Sequence, residues 1–338
     1  MRRCVLLLLA AAAALTDGCC RRPLEDEFAM EALIPVKIDW SHSGINEANL
    51  ALTEDVHRVS LRFFPEDGSA AFDRYLESNV VEGEISVPVG RYSVVVFNES
   101  VYDLTYWRDA VSFTDVDSYA GFAANVVADD AANRRFYSPA PNERLIVEPL
   151  PLASWSVGFF EVTPRMVTVT RGGGSTANAS ELAMLETLTH IVMRRLTYRV
   201  NVEAEVKNLS SAQYIYGAAR GFAHRVYMAS AQVEQSAATH IFSFDGRQYA
   251  PDGKDGTARR SFLSFGRLPQ LEVYSLGLTV YTVDGALYAH SVPLEWDVTT
   301  QVTAGAGPDI NIHVGFDLPY IDGQITVDSW DDSVIIIQ

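Results

Sequence analysis

The sequence has 338 residues, 48% of them apolar, and carries 26 basic against 43 acidic side chains for a net charge of −17. That length supports a large buried core, whereas the acidic balance excludes nucleic-acid binding, which rests on lysine and arginine neutralising phosphates. The three cysteines are Cys4, Cys19 and Cys20, so the body of the chain has no disulfide, no thiolate metal site and no cysteine nucleophile.

Arg2 and Arg3 precede an unbroken apolar run from Val5 to Leu15, followed by small or polar residues to Gly18. This is the anatomy of a secretory signal peptide over 1–18. The run is too short for a membrane-spanning helix, which needs about 20 apolar residues, and no later segment replaces it. Gly18 directly precedes Cys19, with Leu15 a few residues upstream. This resembles a bacterial lipoprotein box, in which the cysteine thiol takes a diacylglyceryl group and becomes the mature N-terminus. Thr16 and Asp17 stand where an aliphatic and a small residue are usual, and Cys20 is a second candidate. The alternative is a soluble secreted protein with two unused cysteines. Lipidation at Cys19 would bring two or more acyl chains, each buried methylene contributing about 0.8 kcal/mol, and would anchor the chain stably. Cleavage before Cys19 leaves 24 basic and 42 acidic side chains.

Residues 19–31 are polar and charged and read as a tether holding the first domain off the membrane. Their cluster Glu25, Asp26, Glu27 resembles the acidic signals of surface-exposed lipoproteins in Bacteroidetes. Period-two alternation, the mark of strands with one buried face, then dominates. In "IPVKIDW" the apolar set is Ile34, Val36, Ile38 and Trp40; in "VSLRFF" it is Val59, Leu61 and Phe63. "GRYSVVVFN" is apolar on both faces, through Tyr92, Val94 and Val96 on one and Val95 and Phe97 on the other, which predicts a central strand. The glycine-rich "RGGGSTANAS" reads as a linker and places a domain boundary at 171–183. One helix is predicted over Ser180–Val192, with Ser180 as N-cap and Leu182, Leu185, Leu188 and Val192 on one face. "TYRVNVEAEVK" alternates again, Val200, Val202, Ala204 and Val206 against Asn201, Glu203, Glu205 and Lys207. The pairs Asp284-Gly285 and Asp322-Gly323 fit two-residue hairpin turns and predict hairpins over 273–292 and 312–327. The chain is therefore expected to be all-β, with sandwich-like domains at 32–170 and 184–338.

Catalytic arrangements are absent from the pattern. The seven histidines are scattered, and "GGGST" lacks both the G-x-S-x-G spacing and the Lys-Ser/Thr pair of a phosphate loop. The acidic loops around Asp115 and Asp117, and around Asp252 and Asp255, do not match an EF-hand and read as solvated turns. The N-x-S sequons at Asn98, Asn178 and Asn208 read as chance occurrences. No enzyme, metal or cofactor is expected.

In order, the lipoprotein cysteine, "IPVKIDW", "VPVGRYSVVVFNES", "RRLTYRVNVEAEVKNL" and "GQITVDSWDDSVIIIQ" together resemble fimbrillin-like lipoproteins of Bacteroidetes. The resemblance covers most of the mature chain. It implies two transthyretin-like, Greek-key β-sandwich domains in tandem and a role as shaft, tip or anchor of a surface pilus on the outer membrane. Its partners would be other fimbrial subunits and host or microbial surface glycans or proteins. It also implies strand donation, in which an extended segment of one subunit completes the sheet of the next. The candidate donor is the last segment, through Ile325, Val327, Trp330, Val334, Ile335, Ile336 and Ile337, the alternative being the last core strand of its own domain. No arginine near the start of the first domain stands out as a maturation site. The competing reading is a carbohydrate-binding surface lipoprotein of a glycan-uptake system, with Tyr102, Tyr106 and Trp107 as a candidate sugar platform. The anchor reading has a direct check: Cys19→Ala is expected to move the protein from the membrane to the soluble fraction, and unchanged fractionation would refute lipidation there.

Overall fold

The computed structural model describes residues 30–321 except 46–55, 57, 78, 100–109, 129–135, 138, 171, 173–175, 267, 269–273, 295–301 and 305–308. The first half contributes β1 (Glu31–Asp39), β2 (Arg58–Pro65), β3 (Phe72–Leu76), β4 (Glu82–Pro88), β5 (Gly90–Glu99), β6 (Val111–Thr114), β7 (Ala123–Val126), β8 (Arg144–Ile146) and β9 (Ala153–Val162). Helices α1 (Pro164–Thr170) and α2 (Ala179–Thr187) and the short β10 (Ile191–Val192) and β11 (Arg194–Arg195) follow. The second half contributes β12 (Tyr198–Lys207), β13 (Ala212–Ala223), β14 (Arg225–Tyr227), β15 (Ala237–Ser243), β16 (Gly246–Tyr249) and β17 (Gly256–Ser264). It ends with β18 (Tyr274–Thr282), β19 (Leu287–Leu294), β20 (Val302–Ala304) and β21 (Ile310–Asp317). The protein is all-β, as its alternation predicts.

In the first sandwich a three-stranded sheet, β10-β1-β4, packs on a five-stranded sheet, β11-β9-β5-β2-β3. Alternation decides which side chains meet: Ile34, Val36, Ile38 and Trp40 of the first sheet are buried against Val59, Leu61 and Phe63 of the second. Strand β5 lies in the middle of its sheet, and its two apolar faces go to different cores. Val94 and Val96 enter the first, while Val95 and Phe97 enter another built around Phe122, with Phe64, Val226, Ala238 and Phe265.

That additional core is where the halves join. It is roofed by the small sheet β14-β7-β6, in which β7 of the first half pairs with β14 of the second. Strand β8 crosses over and pairs in parallel with β15. Side chains stitch the same seam: Ser154 Oγ donates to the Met228 carbonyl at 2.8 Å, and Ser156 Oγ to that of Ala229 at 2.7 Å. The Leu263 N–H donates to Glu148 Oε1 at 2.8 Å. Just before β8, Glu143 accepts from Tyr137, Thr239 and the Ala140 N–H. Burial acts to raise its pKa, but these bonds outweigh it and hold the carboxyl below its ordinary range. Burial and the same carboxylate push the Tyr137 hydroxyl up to about 12.

The second sandwich faces β16-β17-β12-β21-β20 with β19-β18-β13-β15-β8 around a core including Val202, Phe222, Phe262, Leu278 and Ile312. The predicted hairpin over 273–292 forms as β18–β19, but its loop is the three residues Val283, Asp284 and Gly285 rather than a two-residue turn: the Thr282 N–H bonds the Ala286 carbonyl, and of the Asp-Gly pair Gly285 alone takes a positive φ, +82°.

Two further features differ from the sequence expectation. The helix spans Ala179–Thr187 and is capped by Asn178, not Ser180: Asn178 Oδ1 accepts from the Glu181 N–H at 2.8 Å and Glu181 returns the bond at 2.9 Å, a capping box. Leu185 and Leu188 are buried as expected, but Leu182 is 50% exposed and Val192 already belongs to β10. The chain also leaves the first core later than the glycine-rich stretch, because β10 and β11 pair with β1 and β9. Membership changes between Met193 of the first core and Val200 of the second.

His240 gives the fold a pH dependence. It is buried, with its ring 4.8 Å from Phe262 and 5.6 Å from Phe222 and its Nε2 3.2 Å from Ser264 Oγ. Burial lowers its pKa to about 3. An unfolded histidine binds its proton near 6.5, so between those values the unfolded chain holds more protons and stability falls as pH falls. Urea unfolding is expected to show the wild type losing about 2 kcal/mol more than His240→Phe between about pH 7 and about pH 5. Equal losses would contradict this.

Candidate functional site

Cys19, Tyr102, Tyr106, Trp107 and the segment carrying Ile325, Val327, Trp330, Val334, Ile335, Ile336 and Ile337 all lie outside the described residues. What the described residues display is how each sheet ends. An unpaired strand edge is a row of unmet backbone donors and acceptors and a template for another strand.

In the first sandwich the edge of β1 is covered. The Leu33 N–H donates to Thr170 Oγ1 of α1 at 3.0 Å, Pro35 has no N–H to offer, and the Lys37 N–H donates to the Leu188 carbonyl at 2.8 Å. Strand β10 then pairs with Ile38 and Asp39.

The second sandwich is different. Strand β19 is the outermost strand of its sheet, and no described residue pairs with its outer side. The Thr282 N–H donates to the Ala286 carbonyl at 3.0 Å. Antiparallel alternation from that bond turns the backbone groups of Tyr288 and His290 toward β18 and those of Leu287, Ala289 and Ser291 outward. Pro293 falls in the outward set, where a missing N–H costs no ladder bond.

The inward face of β19 is open too. Tyr288 is 38% exposed and His290 is exposed, although both stand on the face that carries Leu278 and Val280 into the core on the neighbouring strand. They wall a groove of about 900 Å³ between β19 and β21, floored by Val206, Leu278, Val280 and Phe316. Across it, β20 pairs with β21 only at Ile310–Ile312. At the rim, Lys207 Nζ lies 3.3 Å from Asp317 Oδ2, an exposed pair that contributes little to stability.

On the outer face of the same sheet is an aromatic cluster that the sequence reading missed, although "YIY" at 214–216 signals two rings on one face. Tyr216 stacks on Phe136 at 3.9 Å with 8° between the planes, and Tyr281 stands edge-on to both. Phe136 occupies a face of Tyr216 that a sugar ring would need. The cluster fastens the segment before β8 onto the second sandwich.

The remaining polar candidates are structurally employed. Asp115 accepts from Arg225 at 2.7 Å, and Asp117 from the Ala71 N–H at 3.2 Å. Asp252 caps the turn at Lys254 and Asp255, and Asp255 accepts from the Asn208 N–H. Asn98 is fully buried and bonded to Pro151 and Ala153, Asn178 caps α2, and Asn208 donates to the Leu318 carbonyl at 2.7 Å. No cluster that could hold a metal ion occurs among the described residues.

These features define an all-β protein of two interlocked sandwiches in which the edge strand β19 has no described partner on its outer side. The chain belongs to the family described as "Domain of unknown function (DUF5119)", which matches residues 18–243. It is 32% identical over 135 residues to a Bacteroides ovatus protein named "Putative fimbrium anchoring subunit Fim4B"; the match covers 40% of this chain and spans only 36% of that relative. The crystal structure of a "putative adhesin" from Bacteroides ovatus shares the fold, with a TM-score of 0.54 at 16% identity over 89% of this chain and 94% of that one. "The fimbrial anchor protein Mfa2 from Porphyromonas gingivalis" aligns with a TM-score of 0.44 at 12% identity, over 84% of this chain and 90% of that one. The name of the Bacteroides ovatus relative is of the kind that the ordered sequence motifs resemble.

Proposed function

We propose that the protein is a surface-exposed subunit or anchor of a fimbrium, tethered to the outer membrane through lipid on Cys19 and having a structural role. The observation that carries this reading is the outer edge of β19, a strand of eight residues with no described partner on that side. The name of the Bacteroides ovatus relative supports it. A neighbouring subunit's extended segment would add to this edge as one more strand. Each backbone hydrogen bond so made contributes about 1 kcal/mol net, and the run of them sets the register. The segment this chain would offer in return is Val334–Ile337, whose unbroken apolar run calls for burial on both faces.

Ala289→Pro tests the edge. It deletes an outward N–H without touching the ladder to β18, so the thermal midpoint is expected to stay close to wild type. Co-isolation of other fimbrial subunits with the membrane-bound protein is expected to fall about tenfold, the equivalent of one or two backbone hydrogen bonds. Unchanged co-isolation would contradict assembly through β19.

A further inference from the structure

Strand β9 carries a glycine that the fold does not require, and we infer that Gly158 floors a binding site for a neutral hexose residue, walled by Phe159. Tyr92 stands opposite Phe160 and Val94 opposite Val157, so β9 has one residue more than β5 between these pairs, a β-bulge. Val157 and Phe160 both pack in the first core. The two residues between them, Gly158 and Phe159, are turned to the outer face of the sheet. Both are exposed there, Phe159 by 48%.

Three features of this bulge have no use in folding. First, Gly158 does not take a positive φ, and a Cβ built on it would meet only the Tyr119 hydroxyl, at 4.0 Å. Neither backbone conformation nor space calls for glycine, and a glycine inside a strand weakens it unless something must approach the backbone closely. Second, Phe159 belongs to none of the three hydrophobic cores and holds its ring half in solvent. Third, the Tyr119 hydroxyl overhanging Gly158 has no hydrogen-bond partner among the described residues. An exposed phenylalanine alone would carry nothing; the coincidence of all three at one bulge points to a ligand.

The site is pre-formed. The turn that carries Tyr119 is tied down on both sides: Arg62 Nε donates to the Val116 carbonyl at 2.8 Å, the Ala71 N–H donates to Asp117 at 3.2 Å, and Tyr119 stands edge-on to Phe64 at 5.8 Å. Ser93 Oγ donates to the Gly158 carbonyl at 2.8 Å and keeps its lone pairs for another donor. Next along the outer face, Arg91 Nε bonds Glu161 Oε1 at 2.9 Å. A ligand seated on Gly158 thus meets an aromatic ring together with hydroxyl, guanidinium and carboxylate groups. A pyranose answers that pattern, with C–H groups on its face for the ring and hydroxyls at its edge for the polar groups. Glu66 and Glu161 both flank Arg91, so the rim carries two negative charges against one positive. A neutral sugar suits it and an acidic one is repelled. The site lies on the first sandwich and β19 in the second, so the inference goes beyond fimbrial assembly and does not rest on it.

Saturation-transfer NMR on the full chain tests it, with lactose, maltose, mannobiose and chitobiose as neutral probes and sialyllactose as the acidic one. Transfer to the ring protons of at least one neutral disaccharide is expected at millimolar concentration, and markedly less to sialyllactose. Phe159→Ala and Gly158→Val are each expected to weaken that binding at least about tenfold, with the thermal midpoint close to that of the wild type. If Gly158→Val lowers the midpoint, Phe159→Ala, which removes only an exposed ring, still reports the site. Absence of transfer to every probe, transfer to sialyllactose as strong as to the neutral sugars, or binding that Phe159→Ala leaves unchanged would overturn the inference. Neither substitution touches β19, so co-isolation through that edge stands or falls separately.

Discussion

Strand β5 cannot leave either of its faces in water. Val94 and Val96 on one side and Val95 and Phe97 on the other are all buried, each set in a different core. Fully burying side chains of this size stabilises by about 1.5–3 kcal/mol each, so the sheet containing β5 must be covered twice. The first cover is the ordinary partner sheet of a sandwich. The second is assembled from both halves: β6 and β7 come from before the helices, β14 and the end of β13 from after them. From this constraint follow the crossing of β8 into the second sandwich, the return of β10 and β11 to the first, and a seam that cannot open without exposing Phe122 and its neighbours.

The seam also bears on the proposed role at the cell surface. Strand β19 is one edge of a sheet whose other edge is β8, with β18, β13 and β15 between them. Tension applied at β19 passes across that sheet by backbone hydrogen bonds to β8. Strand β8 leads directly along the chain to β9 in the first sandwich, toward the end of the chain that carries Cys19. Glu143, Tyr137 and Phe136 pin the crossing segment where it lands, and Glu148 joins the stretch after β8 to β17.

Much of the framework was legible in the sequence because a long alternating strand declares its own buried face. "IPVKIDW", "VSLRFF" and "TYRVNVEAEVK" are strands with the expected residues inside, and the double-sided "SVVVF" marked a strand in the middle of its sheet. Asp284-Gly285 located its hairpin because a tight loop needs a residue that accepts positive φ, which Gly285 supplies, although the loop is one residue longer than the pair predicts. The interlocking was not legible. Strands β8, β10 and β11 are two or three residues long and have no period to read; they are strands because of what they lie against. The glycines at 172–174 suggested a boundary, but sequence-local flexibility says nothing about which core the following residues join. Leu188 and Ile191 belong to the first core only because β1 and α2 are already there. The helix cap was readable in principle, since Asn178 and Glu181 have capping-box spacing. The open edge of β19 depends on which strand is not beside it, and no residue within the strand reports that, apart from Pro293.

The central claim is that the seam core makes the two sandwiches one cooperative unit. Its most direct test is urea unfolding of the full chain followed by hydrogen-exchange mass spectrometry, reading peptides of β1 and β5 against peptides of β12 and β18. The account predicts a single transition in which both sets lose protection together, and a common shift of that transition by about 3–5 kcal/mol in Phe122→Ala. Two separate transitions, with Phe122→Ala moving only one of them, would show that the sandwiches are stable independently and would contradict it.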